Sequence, residues 1–167
     1  GAKIRTIPTS IEDGFALPKV EKFEEMINER TKAIMICNPN NPTGYVYTQE
    51  EMNQIRDLAK KYDLFLFSDE VYREYIYTNS PFVSAMNLEG IQENVILIDS
   101  VSKRYSECGI RIGALITKNE TVKKTVMKFC QARLSPPLIG QIVAEASLEA
   151  PKEYFRGIFD EYLERRN

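Results

Sequence analysis

The chain has 167 residues, enough for one domain with a sizeable core, and its 43% hydrophobic and 28% charged content is ordinary for a soluble globular protein. A net charge of −2 argues against the basic surface that nucleic acids require, and no apolar run is long enough for a membrane helix. Histidine is absent, which removes Ser-His-Asp and Cys-His catalysis and leaves no metal site to expect, so any chemistry falls to Lys, Asp, Tyr or a cofactor.

The amino terminus, Gly1-Ala2-Lys3-Ile4-Arg5, carries no apolar signal core and no initiating Met, which suggests an excised piece of a cytoplasmic protein. Cys37, Cys108 and Cys130 are far apart and form no CxxC pair, as expected of reduced thiols. Weak alternation over Ile4–Pro8 predicts a short strand. From Leu17-Pro18, apolar residues at Val20, Phe23, Met26 and Ile27 predict a helix. Lys32–Cys37 is a compact apolar run, hence a buried strand, and it empties into the turn-rich Asn38-Pro39-Asn40-Asn41-Pro42-Thr43-Gly44. Thr48 and Glu51 have capping-box spacing before a helical face of Met52, Ile55, Leu58, Ala59 and Tyr62.

Leu64–Phe67, ending at Ser68-Asp69-Glu70, predicts a second buried strand, Asn94–Ser100 a third, and Arg111–Thr117 a fourth interrupted by Gly113. The last third is helical. Val122, Val126, Phe129 and Cys130 mark one helix; Pro136-Pro137 opens another through Ile142, Val143 and Ala146. Pro151 opens the last, with Tyr154, Phe155, Ile158, Phe159, Tyr162 and Leu163 on one face and no C-cap, as if cut. Apolar strands separated by amphipathic helices predict an α/β fold, a mainly parallel sheet with helices on both faces.

Ligands of open α/β sheets gather where the strands end. The first strand delivers Asn41 there, the second Asp69 and Tyr72, the third Ser100, Ser102 and Lys103, with Arg111 eight residues on. Each has a plainer reading alone. Asp69 and Glu70 could cap the next segment, Tyr72 could be a half-buried aromatic, and Lys103 and Arg111 could be solvated charges. Their ordered co-occurrence favours a site for an anionic, aromatic cofactor.

Three motifs carry a family resemblance. Asn38–Gly44 resembles the NPxNPTG loop of aminotransferases of classes I and II, which share the aspartate aminotransferase fold, fold type I. Ser68-Asp69-Glu70-Val71-Tyr72 resembles their SDEVY strand end, and Ser100–Gly113 is similar to their S-x-S-K-x5-G-x-R-x-G lysine signature. The resemblance spans essentially the whole chain.

It implies pyridoxal 5'-phosphate as cofactor, held covalently by Lys103, which would also move the proton at the substrate α-carbon. It further implies that Asp69 pairs with the pyridinium nitrogen, that Asn41 and Tyr72 bond the ring's 3' oxygen, and that Ser100 and Arg111 hold the phosphate with help from Ser102. Arg104, Glu107 and Ile110 fill variable positions and receive no role. The family's N-terminal phosphate loop and its small domain are absent. Residues 1–150 are therefore expected to be the central part of the cofactor-binding large domain, and residues 151–167 the start of the helix leading to the small domain. The implied activity is amino-group transfer between an amino acid and a 2-oxo acid, in a homodimeric parent without nucleic-acid or membrane partners, the fragment itself being inactive. Other enzymes of the same scaffold (a carbon–sulfur lyase, an aspartate decarboxylase, a cyclopropane-carboxylate synthase) and a non-catalytic module of a regulator are the alternatives.

Overall fold

The apolar runs form strands where the pattern predicts them in the computed structural model, which describes residues 1–167. Strand β1 is Ala33–Cys37, β2 is Phe65–Asp69, β3 is Val95–Ser100 and β4 is Gly113–Ile116. They lie in the order β1-β2-β3-β4, the first three parallel and β4 antiparallel to β3. The sheet is therefore mixed but mostly parallel. Register places Cys37 beside Asp69, and Asp69 beside Ile98, so β1 and β2 end level while β3 runs two residues further, to Ser100.

Helix α1 is Val20–Met26 and α2 is Gln49–Lys61. The capping box forms: Thr48 accepts from the Glu51 N–H, and Glu51 accepts from the Thr48 N–H at 2.8 Å. Glu51 also receives the Leu17 N–H at 3.0 Å and the Tyr45 hydroxyl at 2.8 Å, tying the start of α2 to both flanking loops. Alternation along the strands sends Ile34, Ile36, Leu66, Val95 and Leu97 to one face, where they are buried, and α2 packs Met52, Ile55, Leu58 and Ala59 into the same core. Each fully buried Leu, Ile or Met contributes about 1.5–3 kcal/mol, which makes this layer the main source of stability. The opposite face is barer, with Met35 at 68% exposure.

Past β3, the single turn α3, Val101–Arg104, leads to β4, and three helices follow: α4, Glu120–Ala132, α5, Leu138–Ala146, and α6, Lys152–Arg166. All three were expected, but the apolar faces of α4 and α5 are largely uncovered, with Phe129 71% and Ile142 56% exposed, while the apolar face of α6 is half-buried; among the residues of all three only Gly140 is fully buried. Helical periodicity marks a face that needs a partner without supplying it. Ile4–Pro8 forms no strand, contrary to expectation. No strand edge lies alongside it to accept its hydrogen bonds, Ile4 is 90% exposed, and Pro8 has no N–H to give.

Two buried polar residues fix the approach to the site. Asn38 is fully buried; its amide donates to the Val83 carbonyl at 3.3 Å and accepts the Tyr47 N–H at 3.0 Å, while its own N–H bonds the Asp69 carbonyl at 2.9 Å. Glu70 is also buried, and one of its oxygens receives the Ser68 hydroxyl at 3.0 Å and the Ala85 N–H at 2.8 Å. Burial pushes its carboxyl above the ordinary range, and those two hydrogen bonds only partly offset the effect.

Asn38→Ala should strand the Val83 carbonyl and the Tyr47 N–H inside the core, costing about 2–4 kcal/mol in a urea melt. For Glu70 the sign runs opposite to the usual carboxylate. Its folded-state pKa lies above the unfolded value, so its contribution is complete below the unfolded value and fades as pH rises through the folded one. The stability of wild type relative to Glu70→Gln should therefore fall as the pH rises above the ordinary carboxylate range, read from denaturant melts across that rise.

Candidate functional site

The site lies along the carboxyl edge of β1, β2 and β3. From β1 the chain enters the Asn38–Gly44 loop, in which both Asn-Pro bonds are cis. Asn40 pins this loop from within, accepting the Thr43 hydroxyl at 2.8 Å, and Gly44 turns it with a positive φ of 74°. Asn41 is left projecting, and its amide donates to the Tyr72 hydroxyl at 2.9 Å. This bond joins the first and second strand ends.

Asp69 closes β2. One of its oxygens accepts the Val71 N–H at 3.2 Å, the local capping role that a strand-end acid commonly takes. It forms no ion pair. Register puts it on the same face as Cys37, Ile98 and Ser100. Cys37 is a half-buried thiol whose pKa burial pushes above its ordinary value, with the charge of Asp69 adding to the rise and a backbone hydrogen bond at Asn41 partly opposing it.

Lys103 projects from α3. Its Nζ lies 5.6 Å from the centroid of the Tyr72 ring, a cation–π distance, and it forms no ion pair. Lys103, Tyr72 and Asn41 are thus linked in space, although 62 positions separate the first from the last in sequence (103 minus 41). Ser100 caps α3 by accepting the Ser102 N–H at 3.1 Å; its own hydroxyl donates to the Ile112 carbonyl at 3.0 Å and lies 2.8 Å from the Ser102 hydroxyl. With the proton of Ser100 on the Ile112 carbonyl, the 2.8 Å contact between the hydroxyls is a donation from Ser102 to Ser100, so both hydroxyls are engaged inside the protein.

Arg111 follows a 3-10 turn, Cys108–Ile110, and sits in the left-handed region at φ 60°. For a residue with a Cβ this conformation costs about 1–2 kcal/mol, and it holds the guanidinium at the surface, bonded to the Cys108 carbonyl at 2.7 Å and to no carboxylate. Helix α5 backs this turn closely. A Cβ on Gly140 would stand 2.9 Å from the Ile110 carbonyl oxygen, so only glycine admits the approach.

Charge is distributed unevenly here. Asp99, Arg73, Glu74 and Arg104 are paired among themselves, whereas Asp69, Lys103 and Arg111 have no charged partner. An acid for a protonated ring nitrogen, an amine for an aldehyde and a guanidinium for a phosphate are what pyridoxal 5'-phosphate would need, and this donor set fits it. The sequence patterns gave no indication of Arg73, Glu74 and Tyr75, which pack against α3, because ion pairs across loops leave no periodic trace.

The family model for aminotransferase class I and II matches residues 1–167. The chain is 34% identical to aromatic-amino-acid aminotransferase 2 of Thermococcus litoralis, covering 100% of this chain and 43% of that protein. It is 31% identical to aspartate aminotransferase of Bacillus subtilis, covering 88% of this chain and 38% of that one. Its fold superposes on the crystal structure of the aromatic aminotransferase from Pyrococcus horikoshii with a TM-score of 0.82 at 29% identity, over 94% of this chain and 41% of that chain. It thus spans about two fifths of the length of these relatives. The motif order, the mostly parallel sheet and the match over every residue make one conclusion: this chain belongs to the class I and II aminotransferases.

Proposed function

We propose that the whole protein is an aminotransferase that moves an amino group between an amino acid and a 2-oxo acid, with pyridoxal 5'-phosphate held at this edge. The observation that carries the reading is the linked trio of Lys103, Tyr72 and Asn41 beside the unpaired carboxylate of Asp69. Pyridoxal 5'-phosphate, when bound, supplies an electron sink for a bond breaking at the amino acid's α-carbon.

The protein's own groups do the rest. Lys103 would hold the cofactor covalently and, once released, carry the proton at the α-carbon. Its amine is exposed and unpaired, so no ion pair need break first. Asp69 would keep the ring nitrogen protonated, its second oxygen being free of backbone bonds. Tyr72 and Asn41 would offer their coupled hydroxyl and amide to the 3' oxygen. Arg111 would hold the phosphate by charge-assisted hydrogen bonds, with Ser102 and Ser100 assisting after giving up their bonds to each other and to the Ile112 carbonyl.

In this reading residues 1–150 are the central part of the cofactor-binding domain, and residues 151–167 start the helix leading to a small domain that binds substrate. The protein is a cytoplasmic homodimer. Free thiols at Cys37, Cys108 and Cys130 support the location, and the bare apolar side chains Met127, Phe129, Leu138, Ile139 and Ile142 support a face that another surface covers. No helix is long and apolar enough to cross a membrane. The aspartate and aromatic-amino-acid activities named for the relatives make those two substrate classes the first to assay.

Incubation of the full-length polypeptide with pyridoxal 5'-phosphate, then borohydride and peptide mapping, should place the label on Lys103; a label elsewhere, with Lys103 unmodified, defeats the assignment. Asp69→Ala should lower kcat by at least about a hundredfold while moving the melting temperature by only a few degrees, because it removes the partner of the ring nitrogen and little packing. Full activity in that variant would remove Asp69 from the mechanism. A 2-oxo-acid-dependent loss of the substrate's amino group separates transfer from lyase or decarboxylase chemistry on the same scaffold.

A further inference from the structure

The lysine stands on a structure that cannot hold itself. Helix α3 is one turn, Val101–Arg104, with no buried side chain, and a single isolated turn is unstable in water. Its pose must come from outside. The contacts that supply it converge from one short stretch, Arg73-Glu74-Tyr75, directly after Tyr72. The Tyr75 hydroxyl donates to the backbone carbonyl of Lys103 itself at 2.6 Å. Glu74 accepts two bonds from the Arg104 guanidinium, one at 2.9 Å from Nε and a second from Nη2. Arg73 donates to Asp99 at 2.6 Å, and its Nε lies 3.9 Å from Glu74.

The result is a ladder of alternating charge, Asp99–Arg73–Glu74–Arg104, running from the end of β3 through the loop after β2 to the lysine's own turn. It is half-buried, its side chains being 19–36% exposed. Asp99 also accepts the Ser100 N–H at 2.8 Å, so the ladder's far end grips the residue that caps α3. Tyr75 is held in turn by Tyr162 of α6, edge to face at 5.5 Å between ring centroids. Burial, then neighbouring phenols, push the Tyr75 pKa up to about 12, which keeps its hydroxyl a donor across the physiological range.

We infer that Glu74, Tyr75 and Arg104 are positioning residues that set the pose of Lys103 against Tyr72. The inference rests on the reading of Lys103 as the cofactor lysine and adds three residues to which the lysine signature assigns no role. Tyr72 and its three successors form one continuous piece, which presents a wall of the site at one end and clamps the lysine's backbone at the other. Separate exposed ion pairs stabilise little, but the geometry they hold matters: misplacing a reacting group by about 1 Å costs on the order of a hundredfold in rate.

The test uses Tyr75→Phe, Arg104→Ala, Arg104→Lys and the reversed pair Glu74→Arg with Arg104→Glu in the full-length polypeptide. The first readout is independent of turnover: the rate at which cofactor-free protein captures pyridoxal 5'-phosphate on Lys103, quenched with borohydride and quantified by peptide mapping. The second is the pH midpoint of the bound cofactor's absorbance. Tyr75→Phe and Arg104→Ala should slow capture about tenfold, shift the midpoint and lower kcat far more than they raise KM. Arg104→Lys should recover only part of the loss, because it keeps the charge without the fork, and the reversed pair should capture faster than Arg104→Ala. Folded variants with wild-type capture and an unmoved midpoint would overturn the inference while leaving Lys103 in place. Failure of the unaltered protein to capture at Lys103 would overturn the functional reading and this inference with it. Should Arg104→Ala not fold, Tyr75→Phe, which removes one oxygen, decides alone.

Discussion

Parallel register is the constraint on which the site depends. Cys37, Asp69 and Ile98 lie side by side, so the loops after β1 and β2 leave level with each other and the turn after β3 leaves two residues further along the same edge. Three loops from distant parts of the sequence then have to share one crevice. The Asn38 N–H locks that height by bonding the Asp69 carbonyl, continuing the ladder one step past the end of β1. A slip of one residue between β1 and β2 would turn Asp69 to the face where Ile36 and Leu66 are buried and place a carboxylate in an apolar core. Such a slip is excluded by the cost of burying an unpaired charge, and the same exclusion keeps the acid in the crevice.

Within that frame, paired and unpaired charges divide the labour. Stability at the edge comes from engaged polar groups: the buried Asn38 amide and Glu70 carboxyl, and the more exposed capping box at Thr48 and Glu51. The groups suited to chemistry keep free valences. Asp69 has an oxygen to spare, Lys103 meets only the face of Tyr72, and Arg111 is held out by a left-handed backbone at about 1–2 kcal/mol of strain. Burying the charges of Lys103 or Arg111 in ion pairs would stabilise the fold slightly and spoil the site.

What the sequence made legible follows from which forces leave a local trace. Strands β1 to β3 were readable because each is buried enough to demand a near-continuous apolar run, and α2 because its cap and its face are both set by residues within a few positions of one another. The apparent strand at Ile4–Pro8 had the pattern and no partner, and pattern alone cannot supply the hydrogen bonds. The helices α4 to α6 were placed correctly, while the bare faces of α4 and α5 were not foreseen, since amphipathicity records a demand for cover. For the candidate site, the placement of Asn41, Asp69, Tyr72 and Lys103 at one edge of the sheet was legible through strand ends and motif order. Ser100 kept its position but has its proton turned to Ile112, which only the return of β4 beside β3 creates.

The residues that stayed invisible explain how a four-residue helix can carry the central amine. Arg73, Glu74 and Arg104 occur where charged residues are ordinary, at spacings that mean nothing until β2 and β3 lie side by side. Adjacent parallel strands bring the loop after one against the turn after the next, and that proximity converts unremarkable surface charges into a ladder. The same topology passes the constraint outward. Tyr75 and Tyr77 meet Tyr162 and Phe159 of α6, so the segment beside Lys103 is packed against the last helix of the chain. A rotation of α6 would move the Tyr75 ring, and with it the hydroxyl bonded to the Lys103 carbonyl. The amine is thus held by the sheet on one side and by a helix remote in sequence on the other, and its position reports on both.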